Sequence, residues 1–153
     1  MIQQLHHVCI LTERIEPLAE RLHTALALPM PLPARSVSGD GLELRTTMIP
    51  LGNGTFLQLL EPHEGPGTAE LAAGGEGTLF EVAFKVASAE HAAAEAVRRG
   101  HTPSSFAGLP LSGGYAIAAS GSRYLYLPPA TTGGINVELI EPPDSRAEAG
   151  GIR

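Results

Sequence analysis

The chain has 153 residues, enough for one domain or two very small fused ones. Hydrophobic residues make up 43% and charged residues 17%, so a core is available and the chain as a whole is not a disordered segment. Ten Lys and Arg against 16 Asp and Glu give a net charge of −6, which argues against nucleic acid and anionic membrane as partners.

Residues 4–10 alternate in polarity and predict a strand. Cys9 within it is the single cysteine, so no internal disulfide and no CxxC motif exists. The opening MIQQLHHVCILTER lacks the basic start and apolar run of a signal peptide, and no apolar run in the chain nears the ~18 residues of a membrane helix. A cytoplasmic protein is the expectation. Pro17 suits the first turn of a helix reaching about Ala27, with Leu18, Leu22 and Leu26 as its buried stripe. The Pro-rich stretch from Pro29 to Pro33 ends it. Residues 43–50 and 55–60 read as strands joined by Leu51-Gly52-Asn53-Gly54, a hairpin signal. Residues 63–78 read as a linker. A strand follows over 79–86, and Ser88 then caps an Ala-rich helix that stops at Arg98-Arg99-Gly100. Ser112-Gly113-Gly114 reads equally as a mobile substrate loop or a plain connection. Residues 115–119, 123–127 and 135–141 read as strands, and 143–153 as a flexible tail.

The elements repeat. Leu5-His6-His7-Val8-Cys9-Ile10 and Leu79-Phe80-Glu81-Val82-Ala83-Phe84 each precede a helix. Phe56-Leu57-Gln58-Leu59-Leu60-Glu61-Pro62 and Asn136-Val137-Glu138-Leu139-Ile140-Glu141-Pro142 each close a half. His7 precedes Glu81 by 74 positions and Gln58 precedes Glu138 by 80, so a small loop insertion reconciles the two offsets. The expected organisation is a single domain over 1–142, made of modules at about 4–62 and 79–142.

Side chains alternate across a strand. Phe80, Val82, Phe84 and Val86 form one packing face, as do Ile135, Val137 and Leu139, leaving Glu81 and Glu138 on the opposite faces. His7 and Gln58 are their counterparts in the first half. A lone polar residue in a strand ordinarily faces water. Four that match across a duplication are better read as lining a shared cup. One imidazole, one amide and two carboxylates suit a divalent ion such as Zn, Mn, Co, Ni or Mg, whose charge would balance the two glutamates.

The chain resembles the vicinal oxygen chelate superfamily, most of all its methylmalonyl-CoA epimerase-like branch. Leu5-His6-His7-Val8 is similar to the branch's L-D-H-I strand, and Pro50-Leu51-Gly52-Asn53 through Leu57-Gln58-Leu59-Leu60-Glu61-Pro62 to its P-L-G-N…E/Q-L-L-E-P hairpin. Gly75-Glu76-Gly77 resembles its G-E-G. Leu127-Pro128-Pro129-Ala130-Thr131-Thr132-Gly133-Gly134 with Val137-Glu138-Leu139 resembles L-H-P-K-S-T-G-G…I-E-L. The resemblance spans about residues 4–142. It implies an α+β fold of two tandem βαβββ modules whose curved sheets form a cup, with His7, Gln58, Glu81 and Glu138 as metal ligands. Glu81 stands where the family has a His, and Pro128 and Ala130 replace the His and Lys of its L-H-P-K loop.

The implied activity is a divalent-metal-dependent epimerase or isomerase acting on a small acyl or 2-oxo compound through an enolate. Glu138 is the expected proton-transfer group, with Glu43 or Glu81 as the partner base, and Arg45 and Arg123 as contacts for an anionic substrate group. The alternatives are a glyoxalase-type lyase and a metal-free small-molecule binding or resistance protein. A homodimer with a small-molecule substrate is expected.

Overall fold

The computed structural model describes residues 1–39, 42–63 and 75–143. The strands, in chain order, are β1 (Ile2–Leu11), β2 (Arg35–Gly39), β3 (Leu42–Gly52), β4 (Thr55–Pro62), β5 (Leu79–Val86), β6 (Ala116–Ile117), β7 (Arg123–Leu127) and β8 (Asn136–Glu141). The helices are α1 (Ile15–Leu26), α2 (Ala89–Arg98) and the short α3 (Pro129–Thr132). Each half therefore runs strand, helix, three strands, with α3 inserted before β8. The expected linker falls largely, and the expected tail almost wholly, outside the described residues. Two compact units emerge: one spans His6–Val82, the other Met1–Leu5 and Ala83 onward, so β1 and β5 each pass from one unit to the other.

In the His6–Val82 unit the strand order is β2-β3-β4-β1-β5. β1 runs parallel to β4, with His7 opposite Phe56 and Cys9 opposite Gln58. β3 and β4 form the expected antiparallel hairpin. Its turn places Asn53 at φ 53° and Gly54 at φ 70°, the paired positive φ that an Asn-Gly turn accommodates. Ile10, Ile49, Leu57 and Leu59 on one sheet face pack against Ile15, Leu18, Ala19 and Leu22 of α1. Leu26 is 63% exposed and does not continue the expected stripe. It is the last helical residue, and Ala27 behind it turns the chain left-handed at φ 54°. β2 was not expected from the sequence. It pairs with β3 at the edge of the order.

The second unit has the order β5-β8-β7-β6. Val86, Leu125 and Leu139 pack on Ala89, Ala92 and Ala93 of α2, with Phe84, Leu127 and Val137 around them. The alanines let the helix lie close to the sheet. Ser88 caps α2 as expected, its hydroxyl accepting from His91 N at 3.1 Å. The strand expected over 115–119 shortens to Ala116–Ile117, and Ile135 precedes β8 and is 45% exposed rather than part of the packing face. Gly114 sits at φ +79°, and a Cβ there would meet Ala93 Cβ at 2.9 Å. The loop is thus seated closely on α2, which favours the plain connection over a mobile loop. Among the described residues no helix is long and apolar enough to cross a membrane.

Candidate metal centre

The strand registers assign the polar residues to faces. In the first unit Ile10, Ile49, Leu57 and Leu59 touch α1, so the residues next to them in sequence point the other way. That opposite face carries His7 and Cys9 from β1, Thr46 and Met48 from β3, and Phe56, Gln58 and Leu60 from β4. The expected placement of His7 and Gln58 on a common face away from the helix is what the unit has.

His7 is 2% exposed, and its Nε2 lies 2.9 Å from Glu81 Oε1, also 2% exposed. A buried carboxylate needs a hydrogen-bond donor or a cation, and the imidazole answers that need. His7 Nδ1 lies 2.8 Å from His6 Nδ1, so both ring nitrogens of His7 are engaged. His6 in turn packs its ring on Phe56 with centroids 5.5 Å apart. Gln58 donates from Nε2 to Thr46 Oγ1 at 2.8 Å. Its carbonyl oxygen, Oε1, is buried and accepts no hydrogen bond. An orphaned buried acceptor costs about 1–3 kcal/mol, so a native structure that keeps one generally has a use for it. Cys9 is fully buried on the same face.

The donor set fits a divalent ion. Imidazole nitrogen, amide oxygen and carboxylate oxygen are the ligand types that Zn, Mn, Co, Ni and Mg accept. Two adjacent ligands ~2.1 Å from an octahedral ion lie about 3.0 Å apart, close to the 2.9 Å between His7 Nε2 and Glu81 Oε1. In the second unit Glu138 is 5% exposed on β8, opposite Tyr126 of β7 and on the face turned away from Leu139 and α2. Tyr126 stacks edge-to-face with Phe106 and with Tyr124, so an aromatic cluster shares that face.

Glu43, Arg45 and Arg123 lie elsewhere. Arg45 is opposite Glu61 in register, on the face that carries Ile49 and Leu59, and Glu43 shares that face. Neither is on the face of His7 and Gln58. Glu43 and Arg45, two residues apart, share one side of β3, and β3 turns that side toward the helix. Arg45 Nη1 bonds both oxygens of Glu61 at 3.2 Å, and Nη2 bonds Glu16 of α1 at 2.5 Å. These hydrogen bonds raise the Arg45 pKa and lower that of Glu16. Arg123 is likewise on the α2 face, 3.6 Å from Glu141 and 5.7 Å above the Tyr115 ring.

Glu61 and Glu141 have a role beyond closing the two repeats. Glu61 Oε2 accepts from Ile15 N, the first residue of α1, at 2.8 Å. Glu141 Oε2 accepts from Ala89 N, the first residue of α2, also at 2.8 Å. Each repeated Glu-Pro therefore ends its strand by capping the helix of its own half, where the helix dipole favours a carboxylate. The sequence held the signal. Arg14 at the α1 N-cap has no capping side chain, so those amides require a remote acceptor. Glu76 of Gly75-Glu76-Gly77 is a third such clasp, accepting from Glu13 N at 2.8 Å and Thr12 Oγ1 at 3.2 Å and pairing with Arg21 at 2.5 Å. These hydrogen bonds, with Arg21 beside it, lower the Glu76 pKa. His63 is half exposed and 3.3 Å from Glu61, and its neighbour Glu64 lies outside the described residues.

No protein-family model and no curated protein matches the sequence. Solved structures do match the fold. A methylmalonyl-CoA epimerase in complex with methylmalonyl-CoA and NH4+ superimposes with a TM-score of 0.74 at 19% identity, over 94% of this chain and 97% of that one. The chain has the vicinal oxygen chelate fold. A variant of the Streptomyces coelicolor methylmalonyl-CoA epimerase in complex with 2-nitronate-propionyl-CoA gives a TM-score of 0.74 at 20% identity, over 94% and 97% of the two chains. The Mycobacterium tuberculosis methylmalonyl-CoA epimerase gives 0.72 at 18% identity, over 96% and 93%. The two tandem βαβββ modules expected from the sequence are thus the architecture of these structures.

Proposed function

We propose that the protein is a divalent-metal-dependent epimerase or isomerase acting on a small acyl compound, with His7, Gln58, Glu81 and Glu138 as the metal ligands. The observation that carries the reading is the carbonyl oxygen of Gln58, buried without a hydrogen bond on the face that bears His7. His7 and Glu81 support it as buried ligand types with Nε2 and Oε1 2.9 Å apart, and Glu138 supports it as a carboxylate buried on β8. With neutral imidazole and amide, two carboxylates balance a divalent charge, which accounts for Glu81 where the resembled family carries a His.

When bound, the ion polarises a substrate carbonyl or carboxylate and acidifies the adjacent C–H. The chain's own residues do the rest. Glu138 takes the proton next to the carbonyl, and Glu81 is the partner base that returns one. The aromatic rings of Tyr124, Tyr126 and Phe106 help to exclude water on the Glu138 side. His6 holds the ring of His7, and Thr46 holds the amide of Gln58. Arg45, Arg123 and Glu43 take no part, because they are on the helix faces. Fold likeness to structures bound to methylmalonyl-CoA and to a nitronate analogue supports an acyl-CoA substrate. A nitronate is planar and anionic, as an enolate is. A cytoplasmic homodimer completes the proposal.

The test is solvent deuterium exchange into methylmalonyl-CoA, with wild type and Glu138→Gln. Metal-dependent exchange at the carbon next to the thioester is expected in wild type and lost in the variant. No exchange with any acyl-CoA, together with tight binding of an unreacted small molecule by metal-free protein, would favour a binding or resistance protein instead.

A further inference from the structure

We infer that Thr46 is a positioning residue that fixes the side-chain amide of Gln58, so that its oxygen and not its nitrogen is presented to the metal. The inference deepens the metal site proposed above and rests on it. Thr46 is 3% exposed on β3, and its hydroxyl donates to the carbonyl oxygen of Leu59 at 3.2 Å. A hydroxyl carries one proton. With that proton committed to Leu59, Thr46 Oγ1 has only lone pairs left for Gln58, 2.8 Å away. The sole partner it tolerates there is an N–H donor. The orientation of the amide, ordinarily ambiguous, is thereby set by chemistry: Nε2 faces Thr46. A flipped amide would oppose two acceptors at hydrogen-bond distance or take the Thr46 proton from the Leu59 carbonyl, and the observed orientation avoids both. The consequence is the orphaned Oε1, buried on the far side of the amide with no hydrogen bond.

The same arrangement selects Gln over Glu at position 58. A carboxylate there offers no N–H, so it would either face the Thr46 lone pairs or take the Thr46 proton from the Leu59 carbonyl. With an amide at position 58 the donor set holds two carboxylates, the number that balances a divalent ion.

The experiment measures Co2+ affinity by calorimetry or chelator competition, with the visible spectrum of the Co2+ protein, in wild type, T46V and T46S. T46V keeps the shape and removes the hydroxyl; T46S keeps the hydroxyl. Loss of a partner that orients a ligand weakens metal binding ~10–100-fold. T46V is expected to bind Co2+ at least ~10-fold more weakly with an altered spectrum, and T46S to restore both. Thermal unfolding of the metal-free proteins separates this from a folding defect. Wild-type affinity and spectrum in T46V would overturn the role of Thr46 while leaving the metal site standing. Failure of wild type itself to bind Co2+ would overturn both. Should T46V not fold, hydrogen exchange of the Gln58 side-chain amide in metal-free wild type carries the test. Exchange much slower than at solvent-exposed side-chain amides is expected, and equally fast exchange would refute the inference.

Discussion

Replacing Glu61 tests how the first half holds its helix against its sheet. Its carboxylate accepts from Ile15 N at 2.8 Å and from Arg45 at 3.2 Å, and Ile15 is 2% exposed. Glu61→Gln keeps an acceptor of the same shape and removes the charge. It forfeits the charge–dipole part at the helix N-terminus, about 0.5–1 kcal/mol, and the partly exposed Arg45 pair, about 0.5 kcal/mol. The expected loss is about 1–1.5 kcal/mol. Glu61→Ala also leaves the buried Ile15 amide without an acceptor, which adds about 1–2 kcal/mol and brings the loss to about 2–3.5 kcal/mol. At roughly 3 °C per kcal/mol for a chain of this size, the midpoints fall by about 4 °C and 8 °C. Urea and thermal unfolding followed by circular dichroism measure both. Equal losses for the two variants, or a loss under ~0.5 kcal/mol for Ala, would refute the capping role.

Other consequences are as specific. Gly114→Ala drives a methyl group into Ala93 and forces φ +79° on a residue with a Cβ, so unfolding free energy should fall by about 1–3 kcal/mol in urea titrations. The Glu95 carboxyl, hydrogen-bonded by Arg98 and Arg99, has its pKa lowered to about 2. Because the folded value lies below the ordinary one, its contribution to stability is present above pH ~4.5 and is lost as pH falls toward ~2. Carboxyl NMR should place the Glu95 midpoint near 2, and a midpoint above ~4 would contradict the pairing. Glu81→His should keep a ligand while removing one negative charge, moving preference from Mg and Mn toward Zn and Ni in competition titrations. Unchanged metal preference would count against Glu81 as a ligand.

Much of this was readable from the chain because strands alternate. Gln58 lies between Leu57 and Leu59 and Glu138 between Val137 and Leu139, while His7 and Glu81 share their strands with Ile10 and Phe84, three residues on and on the other face. Ile10, Leu57, Phe84 and Leu139 pack on helices, and the polar neighbours turn away. β3 was harder. Leu44 and Met48 on one face and Ile49 on the other leave its pattern ambiguous, so the side of Glu43 and Arg45 depended on which face met α1. β2 left no pattern at all: Val37 is its one large apolar residue and is 45% exposed. The Glu61 and Glu141 caps were visible as a repeat, but their purpose depended on where each helix began in space. Thr46 gave no signal, because its meaning is two hydrogen bonds to residues on the neighbouring strand.

The most direct test of the central claim is metal content per chain, measured by elemental analysis on protein purified without a His tag and then reconstituted with Co2+, Mn2+ or Zn2+. One ion per chain is expected in wild type, with affinity reduced well beyond tenfold in Gln58→Ala and Glu138→Gln. No stoichiometric ion after reconstitution, or equal occupancy in all three proteins, would contradict it.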